Sequence, residues 1–577
     1  MSLQTQNTAL QNAPPKRIAA DVVVEALKAE GVEVIFGMTG GAIMPLYDAL
    51  FRDGSIRHVT IGHEQGGTHM AEGYARITSN VGVILTTSGP GATNLVTGLT
   101  DAYMDSLPIV ALTGQVPTRA IGTNAFQEAP ITEITRPITK RTYLVRQADD
   151  LARIIPEAFH IARSGRPGPV LIDLPKDVLS SSTSASFVVP WRNGHTVRAL
   201  PDPTQIREAV GALAQAQRPI ILAGGGVLLA RASHELRELV ERLHIPVTTT
   251  HMAVGCFPED SPLSLQSVGM HGTAYANKAV PESDLLIAVG TRLSDRATGN
   301  LQTFAPHAKV IHIDVDAKEI GAKLPTHIGI VADAQSALRA LNRATRALAL
   351  NHSAWLSRIE QLKREYPMRY EPSDKVIKPQ YAAQMLRELT RRDAIVATDV
   401  GQHQMWVLQY YTFIEPDTNL TSGGLGTMGF GFPAALGAKI AKPERQVICV
   451  SGDGSFLMNV QELNTAVRER LNVIVLVFNN RALGMVRQWN HFFYQGRYAE
   501  SLLHSPEFDR IAEAFGAKGL RAERPDELRS VLEEALSYKD GPVVVDVHID
   551  PEENVFPMVP PGGSNAQCWL RAEDACI

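Results

Sequence analysis

The chain has 577 residues, of which 44% are hydrophobic and 20% are charged. These proportions are ordinary for a globular protein, and the length is sufficient for three or four domains. The formal net charge of −5 excludes the basic surface that a nucleic-acid-binding protein requires. The four cysteines lack metal-ligand spacing and are too few for a disulfide framework, so we expect reduced thiols in a cytosol.

The N-terminus and the hydropathy pattern bear on location. The first seventeen residues are polar, without the apolar segment of a secretory signal or the many arginines of a transit peptide. No apolar run approaches the length of a membrane span, and no basic amphipathic stretch indicates a membrane surface. We therefore expect a soluble, cytoplasmic protein.

The first region, residues 15–180, alternates short apolar runs with helical patterns. The apolar runs are Val34–Phe36, Val83–Thr86, Ile109–Leu112 and Val170–Ile172. This alternation predicts a parallel sheet with helices on both faces. A serine-rich and proline-containing stretch up to about residue 203 is the predicted linker to the next region.

Two further regions show the same alternation. In residues 200–348, strands are predicted at Ile220–Leu222, Leu285–Val289 and Val310–Ile313. Polar residues 351–378 are predicted to connect this region to a third one, residues 379–555. The predicted fold class is α/β, with three consecutive doubly wound parallel-sheet domains. Repetition of one fold three times is conceivable, although the sequence shows no period.

In the third region, a Gly-Asp-Gly turn that contains Asp453 follows the predicted strand Val447–Val450. A helix is predicted at about Asn459–Arg470, and the next strand, Val473–Phe478, ends at two asparagines that include Asn480. The carboxyl ends of neighbouring parallel strands form the ligand-binding edge of an α/β sheet. Both side chains offer oxygen to Mg²⁺, which also binds phosphate oxygens, so we predict a metal–diphosphate site. The alternative is a βαβ unit with polar turns.

The spacing of this motif, Gly-Asp-Gly and then 24 residues before Asn-Asn, resembles the diphosphate motif of thiamine diphosphate enzymes. From about Ile18 to Asn565, the chain resembles the catalytic (large) subunit of acetohydroxyacid synthase, also called acetolactate synthase. The resemblance implies thiamine diphosphate, Mg²⁺ and FAD as cofactors. It places the pyrimidine in the first domain, FAD in a central Rossmann-like domain and the diphosphate in the third. The implied metal ligands are Asp453, Asn480 and the backbone carbonyl of Ala482.

The segment GHEQGG places Glu64 directly after a predicted strand, Val59–Ile61, and at the start of a helix. An acid there complements the helix dipole without any catalytic role. In the family that the chain resembles, a glutamate of this motif hydrogen-bonds the aminopyrimidine ring, which implies acid–base catalysis by Glu64. The resemblance also implies cofactor contacts by Pro90 and Asn94, beside the aminopyrimidine, and by Gly41 in a similar turn.

The resemblance also implies substrate-binding residues. Gln127 would contact reacting groups and Lys176 would line the substrate entrance, whereas the residue types alone fit equally well a loop with a buried Phe126. Arg296 would hold the carboxylate of the second 2-keto acid, although an arginine is more often at the surface or ion-paired. Trp489 matches the position that favours 2-ketobutyrate as second substrate.

In the middle region, three consecutive glycines from Gly224 follow a predicted strand, as in phosphate-binding turns, but they do not form GxGxxG. The residues alone leave nucleotide binding and a plain turn equally open, while Asp314 ends a strand at a position suited to a ribose hydroxyl. The segments GMHGT and GTRLSDR resemble the FAD segments of the family, with departures at Ser294 and around His251. The implied flavin-site residues are Arg166, Gly224, Gly225, Gly226, Met270, His271, Gly272, Arg292, Asp314 and Asp333.

The remaining implied contacts lie in the third region. A lone methionine is usually core filler, but the resemblance makes Met428 the wedge that bends the cofactor and brings its imino nitrogen next to thiazolium C2. The implied diphosphate, thiazolium and pocket contacts are Val400, Gly401, Gln402, His403, Gly452, Gly454, Ser455 and Met485.

The resemblance finally implies a reaction. Pyruvate is decarboxylated on thiamine diphosphate, and the hydroxyethyl carbanion is ligated to a second pyruvate or to 2-ketobutyrate. The products, 2-acetolactate and 2-aceto-2-hydroxybutyrate, serve valine, leucine and isoleucine biosynthesis. A homodimer or higher homo-oligomer and a separate small regulatory subunit are implied, with no nucleic-acid or membrane partner. The flavin would be structural because the net reaction needs no oxidant.

Three alternatives stay open. A pyruvate oxidase-like enzyme would use the flavin for redox chemistry, but it fits the segment GMVRQW poorly. A catabolic acetolactate synthase would lack FAD, and the segment GTRLSDR argues against it. A non-catalytic scaffold would have no need to keep Glu64, Asp453 and Asn480 together.

Overall fold

The computed structural model describes residues 17–184 and 198–575. Most of the predicted linker, and Cys576, lie outside these residues. The chain divides into two compact units. The first comprises residues 1–68, 81–103 and 108–195, and the second comprises residues 69–80, 104–107 and 196–577. None of the described helices is long and apolar enough to cross a membrane.

The first unit contains one six-stranded parallel sheet. Its strands are β1 (Val34–Gly37), β2 (Arg57–Thr60), β3 (Gly82–Thr86), β4 (Ile109–Gln115), β5 (Arg141–Leu144) and β6 (Val170–Pro175). They follow the order β2-β1-β3-β4-β6-β5 across the sheet. All residues of β3, β4 and β6 are buried, as expected for near-continuous apolar strands in a sheet covered on both faces.

Helices connect these strands and cover the sheet. The α-helices are Ala19–Ala29, Met44–Asp53, Glu64–Thr78, Pro90–Thr93, Val96–Asp105, Ile131–Thr135, Leu151–Arg163 and Lys176–Ser180, with 3₁₀ turns at Thr118–Ala120, Arg136–Ile138 and Ala148–Asp150. The helix Leu151–Arg163 buries one apolar stripe, which includes Ile155 and Phe159, in the core cluster of this sheet. The helices that begin at Glu64 and Val96 both start in the first unit and end in the second.

The second unit contains two more six-stranded parallel sheets. The middle sheet consists of β7 (Pro219–Ala223), β8 (Val247–Thr249), β9 (Ser264–Ser267), β10 (Leu285–Val289), β11 (Lys309–Asp314) and β12 (Ile328–Val331). The last sheet consists of β13 (Ile395–Thr398), β14 (Asn419–Thr421), β15 (Val447–Gly452), β16 (Ile474–Asn479), β17 (Lys518–Ala522) and β18 (Val543–His548). The strand orders are β12-β11-β10-β7-β8-β9 and β14-β13-β15-β16-β18-β17.

The helices of this unit surround both sheets. Those of the middle sheet are Pro203–Gln215, Gly225–Leu229, Ser233–Leu243, Ala274–Glu282, Asp295–Thr298, Leu301–Phe304 and Ala334–Ala344, with a 3₁₀ turn at His251–Ala253. Those that follow are Ser353–Glu365, Pro379–Leu389, Gln402–Tyr410, Gly431–Ala441, Asp453–Leu457, Glu462–Arg468, Gly484–Phe493, Phe508–Phe515 and Pro525–Ser537, with 3₁₀ turns at Asn565–Gln567 and Ala572–Asp574. Two core clusters lie on the two faces of the middle sheet, since alternate residues of β10 belong to different clusters.

The three parallel sheets confirm the predicted fold class. The first and last sheets share one topology, in which the second strand in sequence lies at the edge and the fifth lies outside the sixth. The middle sheet has instead the order 3-2-1-4-5-6 of dinucleotide-binding folds. Repetition of one fold three times is therefore wrong for the middle sheet, because its first three strands are laid down consecutively toward one edge.

Two details differ from the sequence prediction. The segment predicted as a polar connection contains the helix Ser353–Glu365, which buries Trp355, Ile359 and Leu362 on one face. The helix predicted at Asn459–Arg470 is shorter, Glu462–Arg468, and a separate short helix, Asp453–Leu457, precedes it. Asn459 separates them and donates its side-chain N–H to Gly429 O at 2.7 Å, a contact that local sequence does not reveal.

Two helices cross at glycines, and the residues that meet there belong to the second unit. The helices Glu64–Thr78 and Gly431–Ala441 follow β2 and β14, which occupy equivalent places in their sheets. A Cβ atom at Gly73 would lie 2.1 Å from Ala434 O, and one at Gly437 would lie 1.9 Å from Met70 O. The contact is reciprocal, and only residues without a side chain permit backbones to approach this closely.

Candidate active site

The carboxyl edge of the last sheet collects the predicted metal and diphosphate residues. β15 pairs in parallel with β13 on one side and with β16 on the other. Val400 and Gly401 therefore follow one strand, Asp453 the next and Asn480 the third, all at the same edge. The chain order of the strands reverses between β13 and β15, which is where open α/β sheets bind ligands.

Asp453 is a buried carboxylate at the start of the helix Asp453–Leu457. Ser505 Oγ donates to its Oδ2 at 2.5 Å. Burial raises the pKa of Asp453, while the hydrogen bonds from Ser505 and from backbone N–H groups oppose the shift. A divalent cation beside this carboxylate would compensate for its desolvation, so the residue fits a metal ligand.

Asn480 and Ala482 are also buried at this edge. Asn480 Nδ2 donates to Gln402 Oε1 at 3.3 Å, and Asn480 Oδ1 accepts the Ala482 N–H at 3.2 Å. The amide oxygen therefore points away from Gln402. Together with Asp453, it supplies the oxygen ligands that Mg²⁺ takes in proteins.

His403 fits an anionic ligand. Its Nε2 atom is buried and has no hydrogen-bond partner among the described residues. Burial lowers the pKa of His403 to about 3, so the ring is neutral at pH 7 in the absence of a ligand. A phosphate oxygen against Nε2 would satisfy this nitrogen and raise the pKa again. A Cβ at Gly452 would lie 2.9 Å from His403 Nδ1, so this glycine allows the ring to reach the edge.

The loop that carries Met428 is held from two sides. The Asp399 carboxylate accepts the backbone N–H groups of Val400 at 2.9 Å, Gly429 at 2.8 Å and Gly431 at 3.1 Å. On the other side of the loop, Asn459 Nδ2 donates a hydrogen bond to the Gly429 carbonyl. Sequence reasoning missed both side chains, and the one available signal was the position of Asp399 at the end of a strand.

Met428 and its predicted neighbours lie in the second unit. Met428 is half-buried, and a Cβ at Gly454 would lie 3.8 Å from its Cε. Ser455 Oγ donates to Val400 O at 3.1 Å, which joins two of the strand ends. Met485 and Trp489 lie one turn apart on the helix Gly484–Phe493 and are half-buried.

In the first unit, Glu64 begins its helix and is buried. Asn94 Nδ2 donates to Glu64 Oε2 at 2.9 Å, so two residues predicted to contact the aminopyrimidine lie together. A Cβ at Gly91 would lie 3.4 Å from the other carboxylate oxygen, Oε1. Pro90 begins the short helix Pro90–Thr93 after β3, and Gly41 lies in a turn after β1; both residues are exposed. The chain order of this sheet reverses between these two strands.

Gln127 lies in an exposed loop after β4, with a left-handed backbone φ of 60°. Its neighbour Phe126 is 89% exposed, so the alternative of a loop around a buried phenylalanine is wrong. Thr118 donates its N–H and hydroxyl to the Asp177 carboxylate at 2.9 and 2.5 Å, which ties the start of this loop to the helix Lys176–Ser180. Lys176 is half-buried at the first position of that helix.

Close packing explains why residues 224–226 are glycines. They follow β7 and pack on Gly290 after β10: the Gly226 N–H donates to Gly290 O at 2.9 Å, and a Cβ at Gly224 would lie 2.2 Å from the same oxygen. Gly225 is constrained differently, since its Cβ would meet Met252 at 3.1 Å. β7 and β10 flank the point where strand order reverses, so these loops fit a nucleotide cofactor.

Some of the other predicted flavin residues of the second unit lie in the loops of the middle sheet. The Met270 N–H donates to Arg296 O at 2.8 Å, and the exposed Arg296 side chain contacts Met270 Sδ at 2.9 Å. His271 is buried, which lowers its pKa to about 4, and its carbonyl accepts from Gln409 Nε2 at 2.9 Å. Gly272 is buried beside it and Arg292 is half-buried after β10.

Asp314 and Asp333 already have local partners. Asp314 ends β11, and its Oδ1 accepts the Asp316 N–H at 2.9 Å. Asp333 caps the helix Ala334–Ala344 by accepting the Ser336 N–H at 3.0 Å, and it pairs with Arg198 at 3.1 Å. Arg166, in the first unit, is half-buried in the loop before β6.

Comparisons of the sequence with known protein families identify the class of enzyme. Three family models match: thiamine pyrophosphate enzyme, N-terminal TPP binding domain, over residues 17–134; the central domain over 206–341; and the C-terminal TPP binding domain over 399–547. Thiamine pyrophosphate is thiamine diphosphate. The chain is thus a thiamine pyrophosphate-dependent enzyme.

Curated relatives narrow the class. The chain is 47% identical over 563 residues to acetolactate synthase 2, chloroplastic, of Nicotiana tabacum, which covers 95% of the chain and 84% of the relative. It is 48% identical over 556 residues to a probable acetolactate synthase large subunit of Methanocaldococcus jannaschii, covering 94% of each. An acetolactate synthase of Mycobacterium bovis is 47% identical over 559 residues, or 95% of the chain and 90% of the relative. The chain belongs to the acetolactate synthase family.

Proposed function

We propose that the chain catalyses the acetolactate synthase reaction, in which pyruvate loses CO₂ and the remaining two-carbon unit is joined to a second 2-keto acid. The second acid is pyruvate or 2-ketobutyrate, and the products enter branched-chain amino acid biosynthesis. The observation that carries the proposal is the donor set of Asp453, Asn480 and His403 at the point where strand order reverses in the last sheet.

Thiamine diphosphate, when bound, supplies the electron sink for decarboxylation and carbon–carbon bond formation. Asp453, Asn480 and the Ala482 carbonyl would hold Mg²⁺, and His403 would bind a diphosphate oxygen. The remaining residues assigned to the diphosphate, thiazolium and pyrimidine are Gly41, Pro90, Val400, Gly401, Gln402, Gly452, Gly454, Ser455 and Met485.

Glu64 handles the proton at the aminopyrimidine ring nitrogen. The hydrogen bond from Asn94 occupies Glu64 Oε2, which directs proton exchange to Oε1. The buried setting excludes water from this exchange, and a carboxylate aimed at a ring nitrogen can both accept and return a proton. Met428 would contact the bound cofactor and set its shape. The hydrogen bonds from the Gly429 and Gly431 N–H groups to the Asp399 carboxylate hold the Met428 loop in place.

The second substrate is held by side chains that are more exposed. Arg296, whose exposed guanidinium contacts Met270 Sδ through one nitrogen, would bind the carboxylate of the second 2-keto acid in a bidentate pair. Gln127 donates to the oxygen that becomes an alkoxide, because an uncharged donor stabilises developing negative charge. Lys176 lines the entrance, and Trp489 limits the size of the acid that fits.

FAD, the quaternary structure and the domain limits complete the proposal. FAD would lie in the middle domain against the residues assigned to it above and would have no redox role. The domains span residues 15–180, 200–348 and 379–555. A homodimer with a separate small regulatory subunit is the proposed assembly, in line with the name of the relative from Methanocaldococcus jannaschii, which calls it a large subunit. The cytoplasm is the proposed location.

Product analysis tests the reaction. The protein is incubated with pyruvate and 2-ketobutyrate, together with thiamine diphosphate, Mg²⁺ and FAD, in the absence of oxygen. We expect acetohydroxybutyrate and acetolactate, with the former in excess. Acetaldehyde alone would indicate a decarboxylase, and turnover only after addition of an electron acceptor would indicate a pyruvate oxidase-like enzyme.

A further inference from the structure

A chain of buried side-chain amides connects the proposed metal site to the backbone of Val555. This chain of amides is called the relay. Gln402, Asn480 and Gln488 lie on three different elements of the second unit, and Gln488 is fully buried on the helix Gly484–Phe493. Gln488 has no role in the function proposed above. We infer that Gln488 is a positioning residue that, through Gln402, turns the amide oxygen of Asn480 toward bound Mg²⁺. This inference rests on the proposed function.

The backbone of Val555 sets the orientation of Gln488. The Val555 N–H donates to Gln488 Oε1 at 2.8 Å, and Gln488 Nε2 donates to Val555 O at 3.1 Å. Gln488 Nε2 also contacts Met558 Sδ at 3.3 Å. A backbone N–H can only donate and a backbone carbonyl can only accept, so the opposite orientation of the Gln488 amide would place like groups face to face twice.

The orientation of Gln488 supports that of the next two amides, together with two backbone groups: Glu553 O accepts from Gln402 Nε2 at 3.3 Å, and the Ala482 N–H donates to Asn480 Oδ1 at 3.2 Å. Gln488 Oε1 accepts from Gln402 Nε2 at 2.8 Å, so the other end of the Gln402 amide, Oε1, faces Asn480. That oxygen accepts from Asn480 Nδ2 at 3.3 Å. The Asn480 oxygen is therefore turned to the opposite side, where it accepts the Ala482 N–H and keeps a second lone pair for a cation.

The hydrogen bonds of the relay are shielded from water, so no water molecule can pair with an amide that is turned the wrong way. Gln402, Gln488 and Val555 are at most 3% exposed. A reversed amide inside this network would leave buried polar groups unpaired, which disfavours the reversal. Without Gln488, Gln402 Nε2 loses its bond at 2.8 Å and keeps the longer one to Glu553 O at 3.3 Å. The amides of Gln402 and Asn480 are then held less firmly, and the Asn480 oxygen is presented to the metal less precisely. Indirect partners of this kind typically change metal affinity by about 10- to 100-fold.

The test measures Mg²⁺ binding directly. Mg²⁺ is titrated into the full chain in the presence of thiamine diphosphate, and binding is followed by calorimetry, independently of turnover. Gln488→Met keeps the length and shape of the side chain and removes its polar groups. We expect at least about a tenfold weaker apparent Mg²⁺ affinity. Gln404→Met is the matched control, since this buried glutamine bonds Thr421 and Ser422 outside the relay. It should leave the affinity within about twofold of wild type.

A second substitution separates orientation from general structural support. Asn480→Asp presents a carboxylate oxygen to the metal in either orientation. In that background, adding Gln488→Met should change Mg²⁺ affinity by less than about twofold, whereas a merely structural role would cost the same factor in both backgrounds. Equal losses in both backgrounds, or no loss from Gln488→Met alone, would overturn the inference.

Two further outcomes are distinguishable. If wild-type protein binds no Mg²⁺ with thiamine diphosphate and forms no acetolactate, the proposed function fails rather than the relay alone. If Gln488→Met does not fold, Gln488→Glu replaces it: a buried, protonated carboxyl can still accept from Gln402 and donate to Val555 O. This variant should keep Mg²⁺ affinity within about threefold, and a loss of tenfold or more would contradict the relay.

Discussion

Replacement of Asp399 by asparagine should loosen the loop that carries Met428. Asparagine has one side-chain oxygen, which can keep the bonds to Val400 and Gly429 on Oδ1 but must turn its N–H₂ group toward the N–H of Gly431. That N–H then stays unpaired at the N-terminus of the helix Gly431–Ala441. A lost bond to a charged acceptor and a buried unpaired donor together outweigh the relief of removing a buried charge, and we expect a net cost of about 2 kcal/mol.

Hydrogen exchange measures this cost locally. A cost of about 2 kcal/mol corresponds to a roughly 30-fold larger opening constant for the amides of Gly429 and Gly431. Exchange followed by mass spectrometry should show this change in peptides that contain both glycines, and turnover should fall with it. Asp540→Asn, at an exposed site of the same region, is the control and should leave exchange unchanged. Unaltered exchange at Gly429 and Gly431 in Asp399→Asn would show that the Asp399 carboxylate does not hold the Met428 loop in place.

Three other predictions test different parts of the molecule. Glu64→Gln can still accept the hydrogen bond from Asn94, so thermal melting should be unchanged while kcat falls by about 10²- to 10⁴-fold; wild-type turnover would end the assignment. Trp489→Leu should lower the ratio of acetohydroxybutyrate to acetolactate roughly tenfold in competition assays, and an unchanged ratio would contradict its role. Burial raises the pKa of Asp173 to about 7, above its unfolded value of about 4. The native state therefore holds the extra proton between these values, and the contribution of Asp173 to stability should fall as pH rises from about 4 to 7 and then level off. Asp173→Asn should make the pH slope of melting curves less steep, while Glu259, whose pKa burial raises to about 8, keeps its own contribution. A slope equal to that of the wild type would exclude Asp173 as a contributor.

The sequence was sufficient for the residues whose signal is local. Apolar β-branched runs predicted the strands on either side of Asp453 to within a residue or two. Glu64 and Asn480 follow such runs directly, so a parallel sheet necessarily brings them to a ligand-binding edge. The strands without a predicted counterpart include β5, β8, β9, β12, β14 and β17, which are short and partly polar and carry too few apolar residues to show a period. β18 was also missed, although its apolar run is clear.

The sequence was insufficient for residues that act through distant partners. Asp399 and Gly429 are thirty positions apart, and Gln488 and Val555 are 67 apart, so no local pattern links them. The glycines from Gly224 pointed to a ligand, yet part of their requirement comes from the backbone of Gly290. In each case the contact joins residues that are far apart in the sequence. The spacing between two residues does not tell which backbone carbonyl or N–H a side chain will contact in the folded protein.

The reciprocal crossing of the helices Glu64–Thr78 and Gly431–Ala441 couples two distant positions of the sequence. Gly73 stands three residues after Met70, and Gly437 three residues after Ala434, so each glycine faces the backbone of the residue that lies one turn before the other glycine. A side chain at either position would push the two helices apart and would also remove the close approach at the other position. The two glycines therefore act as one unit, because the crossing is kept only while both positions lack a side chain.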